Sequence, residues 1–439
     1  MRTVATMTGL ALTLALRAQG PVSLSLQQAV DMAAKQGYAV QASALEAEKT
    51  LARTREITAI GLPQISGSGT LNNYLIVPKM VVPNFFGGEG VAAIEFALPW
   101  SITGAVQLQQ LLFDGSYLVG LQAAKELRVK SAKDLEQTIL NAKVQAAKAY
   151  LGVLAAEEGV RLTGEGLPVL EKAATDTKAM VEQGLLESTD ADRITVQLEE
   201  TRNQQRNMQQ QAGVARAYLN LVIGLPAGSP VTLTDALPAL LDDPAWTGLA
   251  DAPFDANGHI DQQVAQSAMR LAGMDVRNKK AAHLPSLAGF ISYQQAYNYP
   301  EFDIGNGSWW FPGSLWGLQL NVPIFSSGMR RNQVKQAEFA MEQAGVNVKA
   351  TEQRLLAERE QQQAVLRAAQ DSYDTGKKNL ALGKSIFDRT SVKFTEGVAS
   401  SFELTQEHGN YLTAQQNHIQ RIIALLQARA DMRKALGAY

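Results

Sequence analysis

The chain has four histidines, His259, His283, His408 and His418, and none stands where metal chemistry needs it. A helical zinc site wants two histidines one turn apart with an acidic residue between them, so that both rings face one ion. His408 and His418 are ten residues apart, which does not put them on neighbouring turns. The Gly67-Ser68-Gly69 run precedes no helix start and so builds no phosphate loop. No Ser/His/Asp order stands out. The chain has no cysteine, which removes thiolate nucleophiles, thiolate metal sites and disulfides. Catalysis, a cofactor and a bound metal are therefore not expected. The residues that do form a pattern are amides and hydroxyls spaced two apart. Gln107 and Gln109 alternate with Val106 and Leu108; Gln319 and Asn321 alternate with Leu318, Leu320 and Val322; Ser66, Ser68 and Thr70 alternate with residues of the Ile65–Leu71 run. With no base beside them in the sequence, such residues give one face of a strand its polarity.

Alternation of this kind needs strands with one apolar and one polar face. Aromatic residues gather beside them: Trp309, Trp310, Phe311 and Trp316 with Tyr293, Tyr297 and Tyr299 crowd one hairpin end, and Trp100 sits by the other hairpin. This arrangement is like the interfacial girdle of an outer-membrane barrel. Lys+Arg 40 against Asp+Glu 42 leaves no basic field for nucleic acid. Residues 1–20 carry Arg2, an apolar run from Val4 to Leu16, and the small residues Ala18 and Gly20. That reads as a signal peptide cleaved near 18–20. No later segment reaches the ~18–20 apolar residues of a transmembrane helix.

The chain repeats itself. Phe113 aligns with Phe325 at an offset of 212, and Gly184 with Gly397 and Gly224 with Gly437 at 213. Pro63 pairs with Pro285 at 222, so the first hairpin loop carries the extra residues. The first repeat is expected over 21–224, with a helix, a hairpin over 62–112, a long helix over 116–182 and a return helix over 188–223. The second is expected over 259–439, with a helix, a hairpin over 285–325, a long helix over 329–394 and a return helix over 400–436. A linker spans 225–258. Leu135, Ile139, Ala142, Ala146, Ala149, Val153, Ala156 and Val160 make an a/d seam in the first long helix, as Val334, Ala337, Met341, Ala344, Val348, Thr351 and Leu355 do in the second. Gly164, Gly166 and Pro168 predict an interruption near the far end of the first. Four strands cannot close a barrel, and open edges facing lipid are not viable. A membrane-spanning reading therefore demands an oligomer.

At "LSLQQAVDMAAKQG", "LQQLLFDGS", "LNVPIFSSG", "VQAAKAYLGVLAAEE" and "AYLNLVIGLP" the chain resembles the TolC-type family of outer membrane efflux proteins, and the likeness covers nearly the whole mature sequence. The resemblance implies a mainly α fold with transmembrane β: a homotrimeric, 12-stranded β-barrel, four strands per protomer, continued by a long α-helical periplasmic barrel. Strand pairs would be 62–76 with 98–112 and 285–299 with 314–325, and the linker an equatorial belt. Gln107, Gln109, Gln319 and Asn321 would face the barrel lumen; Trp100, Trp309, Trp310 and Trp316 the membrane girdle. Gly184, Leu185, Thr189 and Asp190, with Gly397, Val398 and Ser400, would form tips that meet a periplasmic adaptor. Asp388, and less clearly Asp176, would line a constriction above the tips. The implied partners are the outer membrane lipid, the adaptor and an inner-membrane transporter. Family members often carry Pro before Leu/Ile-Phe; Pro323 fits, whereas Leu111 departs from it. At the tips, Ser188/Thr189 and Ser400/Ser401 are candidate helix caps. The implied function is a passive exit duct of an efflux or type I secretion system; the rivals are a non-conducting coiled-coil scaffold and an adaptor subunit.

Overall fold

The structure, a computed structural model, describes residues 22–83, 90–95, 97–242, 248–303, 305 and 307–438. The expected signal peptide lies outside the described residues. The chain divides into two units. One holds the segments up to Leu45, Asp134–Gln263 and Thr351 onward; the other holds Glu46–Lys133 and Val264–Ala350. The elements run β1 (Val22–Leu24), α1 (Leu26–Gln36), α2 (Tyr38–Ala59), β2 (Gln64–Asn73), β3 (Lys79–Pro83), β4 (Val91–Glu95), β5 (Trp100–Phe113), α3 (Gly115–Glu165), α4 (Leu167–Glu182) and α5 (Ser188–Val222). They continue with β6 (Val231–Leu233), α6 (Leu237–Asp242), α7 (Ile260–Ala281), β7 (Ser286–Tyr299), β8 (Trp310–Asn321), α8 (Met329–Thr395) and α9 (Ser401–Ala435).

The strand-bearing unit is built on one antiparallel sheet of order β2-β5-β7-β8. The second hairpin is displaced from the expected 314–325: β8 starts at Trp310 and ends at Asn321. Pro312 is tolerated inside it because β8 is an edge strand, where one side of the backbone has no ladder to complete. The extra residues of the first hairpin fold into a separate two-stranded sheet, β3 with β4. The two strand-to-helix junctions differ. In the first, Leu112 forms a bulge, since Leu111 pairs with Ala288 and Phe113 with Leu287; Asp114 then caps α3 by accepting from Tyr117 N at 2.8 Å. In the second, the chain passes Pro323 and turns through Ser327 and Gly328, both left-handed, with φ of 48° and 81°.

The other unit is mostly helix. Its core centres on α3, where Ala146, Ala147, Tyr150, Leu151, Val153, Leu154 and Ala155 are all buried. Such burial exceeds an a/d seam, because α1 and the parallel β1–β6 pair also cover this helix. Ser25 opens α1 with a capping box to Gln28. Asp235, just past β6, accepts Leu26 N at 2.6 Å and lies 3.0 Å from the Tyr150 hydroxyl, which also reaches the Leu24 carbonyl at 2.9 Å. Burial pushes the Tyr150 phenol well above its ordinary range. Asp261 joins three helices by accepting from Gln137 at 2.7 Å and Arg354 at 3.0 Å. Burial alone would raise its carboxyl; the two hydrogen bonds outweigh that and hold it below the usual range.

The helix expected over 116–182 is interrupted where Gly164, Gly166 and Pro168 predict it, at Gly166, into α3 and α4. Pro168 lacks the N–H that would continue the ladder. The Leu162 carbonyl, on the last turn of α3, accepts from Gln415 Nε2 of α9 at 2.9 Å. Helix α8 has no such residue and runs unbroken for 67 residues.

Candidate channel wall and helical tips

In antiparallel ladders, directly opposed residues share a face, and alternate residues along each strand return to it. The register puts Gln107 opposite Ser66 and Ser292, and Gln109 opposite Gln64 and Phe290. It also puts Gln319 opposite Ala288 and Asn321 opposite Ser286. All four amides therefore lie on one face of the sheet, together with Ser68, Thr70, Thr103, Gln294 and Asn298. Leu111, Phe290, Leu315 and Phe311 are the large apolar intrusions, Phe290 packed over Gly317.

The opposite face carries apolar side chains on every strand, with Gln110, Gln295 and Ser314 as its polar exceptions on β5, β7 and β8. Ile65, Leu108, Ile291 and Trp316 form one row and Leu71, Ile102, Tyr297 and Trp310 another. Trp316 is 75% and Leu318 63% exposed on it. Water does not tolerate a largely apolar sheet face of this kind; hydrocarbon does.

Trp100 pairs with Tyr299, so it stands at the same end of the sheet as Trp310. The rings of Trp309 and Tyr299 are 4.7 Å apart, those of Tyr297 and Trp310 5.4 Å, and those of Trp100 and Phe302 4.7 Å. Trp316 does not join them: it sits six residues farther along β8, roughly 20 Å at strand rise. The girdle expected at one hairpin end is thus a cluster of three tryptophans with Trp316 apart from it.

In the helical unit, α4 leads to a tip at Gly184 and α8 to a tip at Gly397, each with φ of 73°. The two turns are built alike. Gly184 N reaches Val181 O and Leu185 N reaches Met180 O, both at 2.9 Å; Gly397 N reaches Phe394 O at 3.0 Å and Val398 N reaches Lys393 O at 2.8 Å. This is the paired closure in which a left-handed glycine satisfies the last helical carbonyls. The return helices start differently. Ser400 caps α9 in a capping box with Glu403. Glu187, rather than Ser188 or Thr189, is the N-cap of α5 and makes no side-chain cap; Thr189 Oγ1 turns to Glu187 Oε2 at 3.3 Å. The Ser401 hydroxyl donates to the Asp190 carboxylate, joining the two hairpins. Leu185 and Val398 project into solvent, as does Phe402, whose ring carries the Arg193 guanidinium 5.7 Å from its centre.

Asp388 is exposed on α8 and lies 3.6 Å from Lys384, one turn before it. The Lys384 ammonium stands 5.9 Å over the Tyr411 ring, and Tyr411 stacks on Phe387 at 5.6 Å. Asp176 is half-exposed on α4 and makes no ion pair among the described residues. The residue that sequence reasoning passed over is His408, fully buried on α9. Gln197 Nε2 lies 3.1 Å from its Nδ1, and the Phe387 ring meets it edge-on at 5.0 Å. Its Nε2 has no hydrogen-bond partner among the described residues and points at Gly166. Burial pulls the imidazole down to about 4. The only sequence signal was the helix break it faces. His418, ten residues on, stacks on Tyr373 at 5.6 Å, and burial lowers it as well.

The model of the outer membrane efflux protein family matches residues 259–438. Outer membrane efflux protein BepC of Brucella suis is 24% identical over 333 residues, 75% of this chain and 69% of that protein. A membrane protein of Pseudomonas aeruginosa superposes with a TM-score of 0.73 at 19% identity, over 94% of this chain and 92% of that one. The Campylobacter jejuni CmeC outer membrane channel superposes with 0.68 at 16% identity, over 94% and 85%. Together these matches make the chain similar to outer membrane efflux proteins: the family model rests on the second repeat, and the TolC-like fold extends over nearly the whole chain.

Proposed function

We propose that the chain is the outer-membrane exit duct of a tripartite efflux or secretion assembly, open to cargo delivered from the inner membrane and performing no catalysis itself. The observation that carries this is the two-faced sheet: one face lined with amides and hydroxyls, the other carrying apolar side chains on all four strands. A scaffold that only bridges the envelope has no use for such a sheet. Strands β2 and β8 are its edges and run in opposite directions, so copies can join edge to edge with every contact antiparallel, and three copies give the family's barrel. Gln107, Gln109, Gln319 and Asn321 then line the lumen, while Trp100, Trp309 and Trp310 ring one membrane interface.

The exposed tips, Gly184–Asp190 and Gly397–Ser400, meet an adaptor, with Leu185 and Val398 as apolar contacts. Asp388 lines a constriction and draws cations to it; its exposed pairing with Lys384 is worth little in water and does not cancel the charge. A heat-sensitive trimer from outer-membrane extracts that conducts ions in planar bilayers supports this reading, whereas a monomer in the soluble fraction overturns it. Asp388→Ala should reduce cation selectivity and block by multivalent cations; unchanged recordings would remove Asp388 from the constriction. Cross-linking from Leu185 and Val398 identifies the adaptor.

A further inference from the structure

Where the helices meet the sheet, cations gather without matching anions. In the second repeat, Lys280 and His283 at the end of α7 and Arg331 and Lys335 at the start of α8 line a groove of about 580 Å³. Glu338 is its one carboxylate and is bound to Lys280 at 2.8 Å. His283 Nδ1 faces the Lys279 carbonyl at 3.2 Å, which leaves Nε2 to the groove. The first repeat has a groove between α2 and α3 of about 630 Å³, set farther from the sheet, since Lys125 and Arg128 lie 10 and 13 residues past the start of α3. There Arg55, Lys125 and Arg128 rim an apolar floor of Leu51, Leu121 and Ala124, and none of the three makes an ion pair among the described residues.

Helix energetics accounts for only part of this. Lys279 and Lys280 suit the C-terminal end of α7. Arg330 and Arg331 do not suit the first turn of α8, which has no acidic residue: there the helix dipole already presents positive charge and repels them. Cations and dipole together raise a positive potential that an anion would stabilise. The apolar residues beside the groove identify the anion's carrier. Ile324 is 92% and Phe325 85% exposed in the junction between β8 and α8, and Leu284 is exposed between α7 and β7. Along the chain, exposed apolar residues therefore separate the groove's basic residues from the strands. Apolar side chains in the acyl region with basic ones at the level of the phosphates is how a protein grips an anionic membrane surface.

We infer that the α7–α8 groove, formed by Lys280, His283, Arg331 and Lys335 where these helices join β7 and β8, is a headgroup site for an anionic phospholipid of the inner leaflet. This rests on the membrane-spanning reading of the sheet. The site anchors the level at which the helices leave the bilayer.

The test uses the full chain in detergent, with bound lipid counted by native mass spectrometry. Dioleoylphosphatidylglycerol should be retained over dioleoylphosphatidylcholine. Lys280→Gln/Arg331→Gln/Lys335→Gln should lower that retention roughly tenfold or more, while Lys280→Arg/Arg331→Lys/Lys335→Arg keeps it and guards against misfolding. Equal retention of the two lipids by the wild type, or equal phosphatidylglycerol retention by the glutamine variant, overturns the inference. Displacement of the lipid by millimolar inorganic phosphate also overturns it, because the groove would then take a free anion. Planar-bilayer conductance of the same preparations separates the two readings. Conduction without lipid preference sinks the headgroup site alone, and lipid preference without conduction sinks the duct.

Discussion

The ring of His408 occupies the space above Gly166: a Cβ on Gly166 would stand 3.0 Å from its Nε2. The break between α3 and α4 is where one helix gives way to a side chain of another. Gln197 donates to Nδ1, so the imidazole is neutral with its proton on Nε2, and protonating Nδ1 would set a donor against a donor.

A pH dependence follows. His408 is held at about 4, below the ~6.5 of an unfolded histidine. Between these values the unfolded chain binds the proton and the folded one does not. Stability is therefore full above the unfolded value and falls as pH drops through that window, by on the order of 3 kcal/mol in all. His418, lowered in the same direction, adds to the loss. Thermal melts at pH 7.5 and 5 should show the drop, and His408→Gln should flatten it; an equal drop in the variant would remove His408 as its source.

The glycines that end the helices are not equivalent. Gly184, Gly397 and Gly224 all have positive φ, yet only Gly224 is enclosed. A Cβ there would lie 2.1 Å from the Gln36 carbonyl oxygen, whereas nothing stands within 4 Å of the other two positions. Gly184→Ala and Gly397→Ala should each cost about 1 kcal/mol from backbone strain. Gly224→Ala should cost more than twice that, because the backbone of α1 must move. Denaturant melts of the three variants rank them.

At the tips, Ser400 caps α9 and Glu187 gives α5 no side-chain cap. Ser400→Ala should cost about 1 kcal/mol and speed amide exchange over residues 401–404. Glu187→Ala should leave exchange at the start of α5 nearly unchanged.

Val106 and Gln107 are neighbours on opposite faces of β5. An arginine on a lipid-facing strand position costs about 2–4 kcal/mol at the bilayer midplane. Val106→Arg should therefore reduce the yield of heat-sensitive oligomer. Gln107→Arg should assemble normally and shift ion selectivity toward anions in planar bilayers. Equal yields from both would mean that the faces are assigned the wrong way round.

How far the sequence could be read depended on range. The switch from a two-residue to a helical period at Phe113 and Phe325, the glycine stops at 184 and 397 and the interruption near Gly166 are local signals, and each marks a feature present in the fold. β8 starts four residues before the expected 314 and runs through Pro312, which only its edge position in the sheet makes tolerable. Trp100 could be placed beside Tyr299 only through the pairing of β5 with β7, a contact across almost 200 residues. The β3–β4 hairpin was visible only as surplus loop length. His408 has no local signature at all, since its meaning comes from a glycine on another helix. The candidate pore and tip residues were named from family likeness; the sheet register explains why four of them share a face.

Strands β2 and β8 each leave one side without a strand partner among the described residues. In hydrocarbon every such unpaired group costs several kcal/mol, so a lone chain's sheet has no resting place in lipid. If copies close the barrel as proposed, insertion and the recruitment of further copies become a single event, with a rate that rises faster than linearly in free chain. Scarcity alone, without any defect in the sequence, would leave such a chain stranded outside the bilayer.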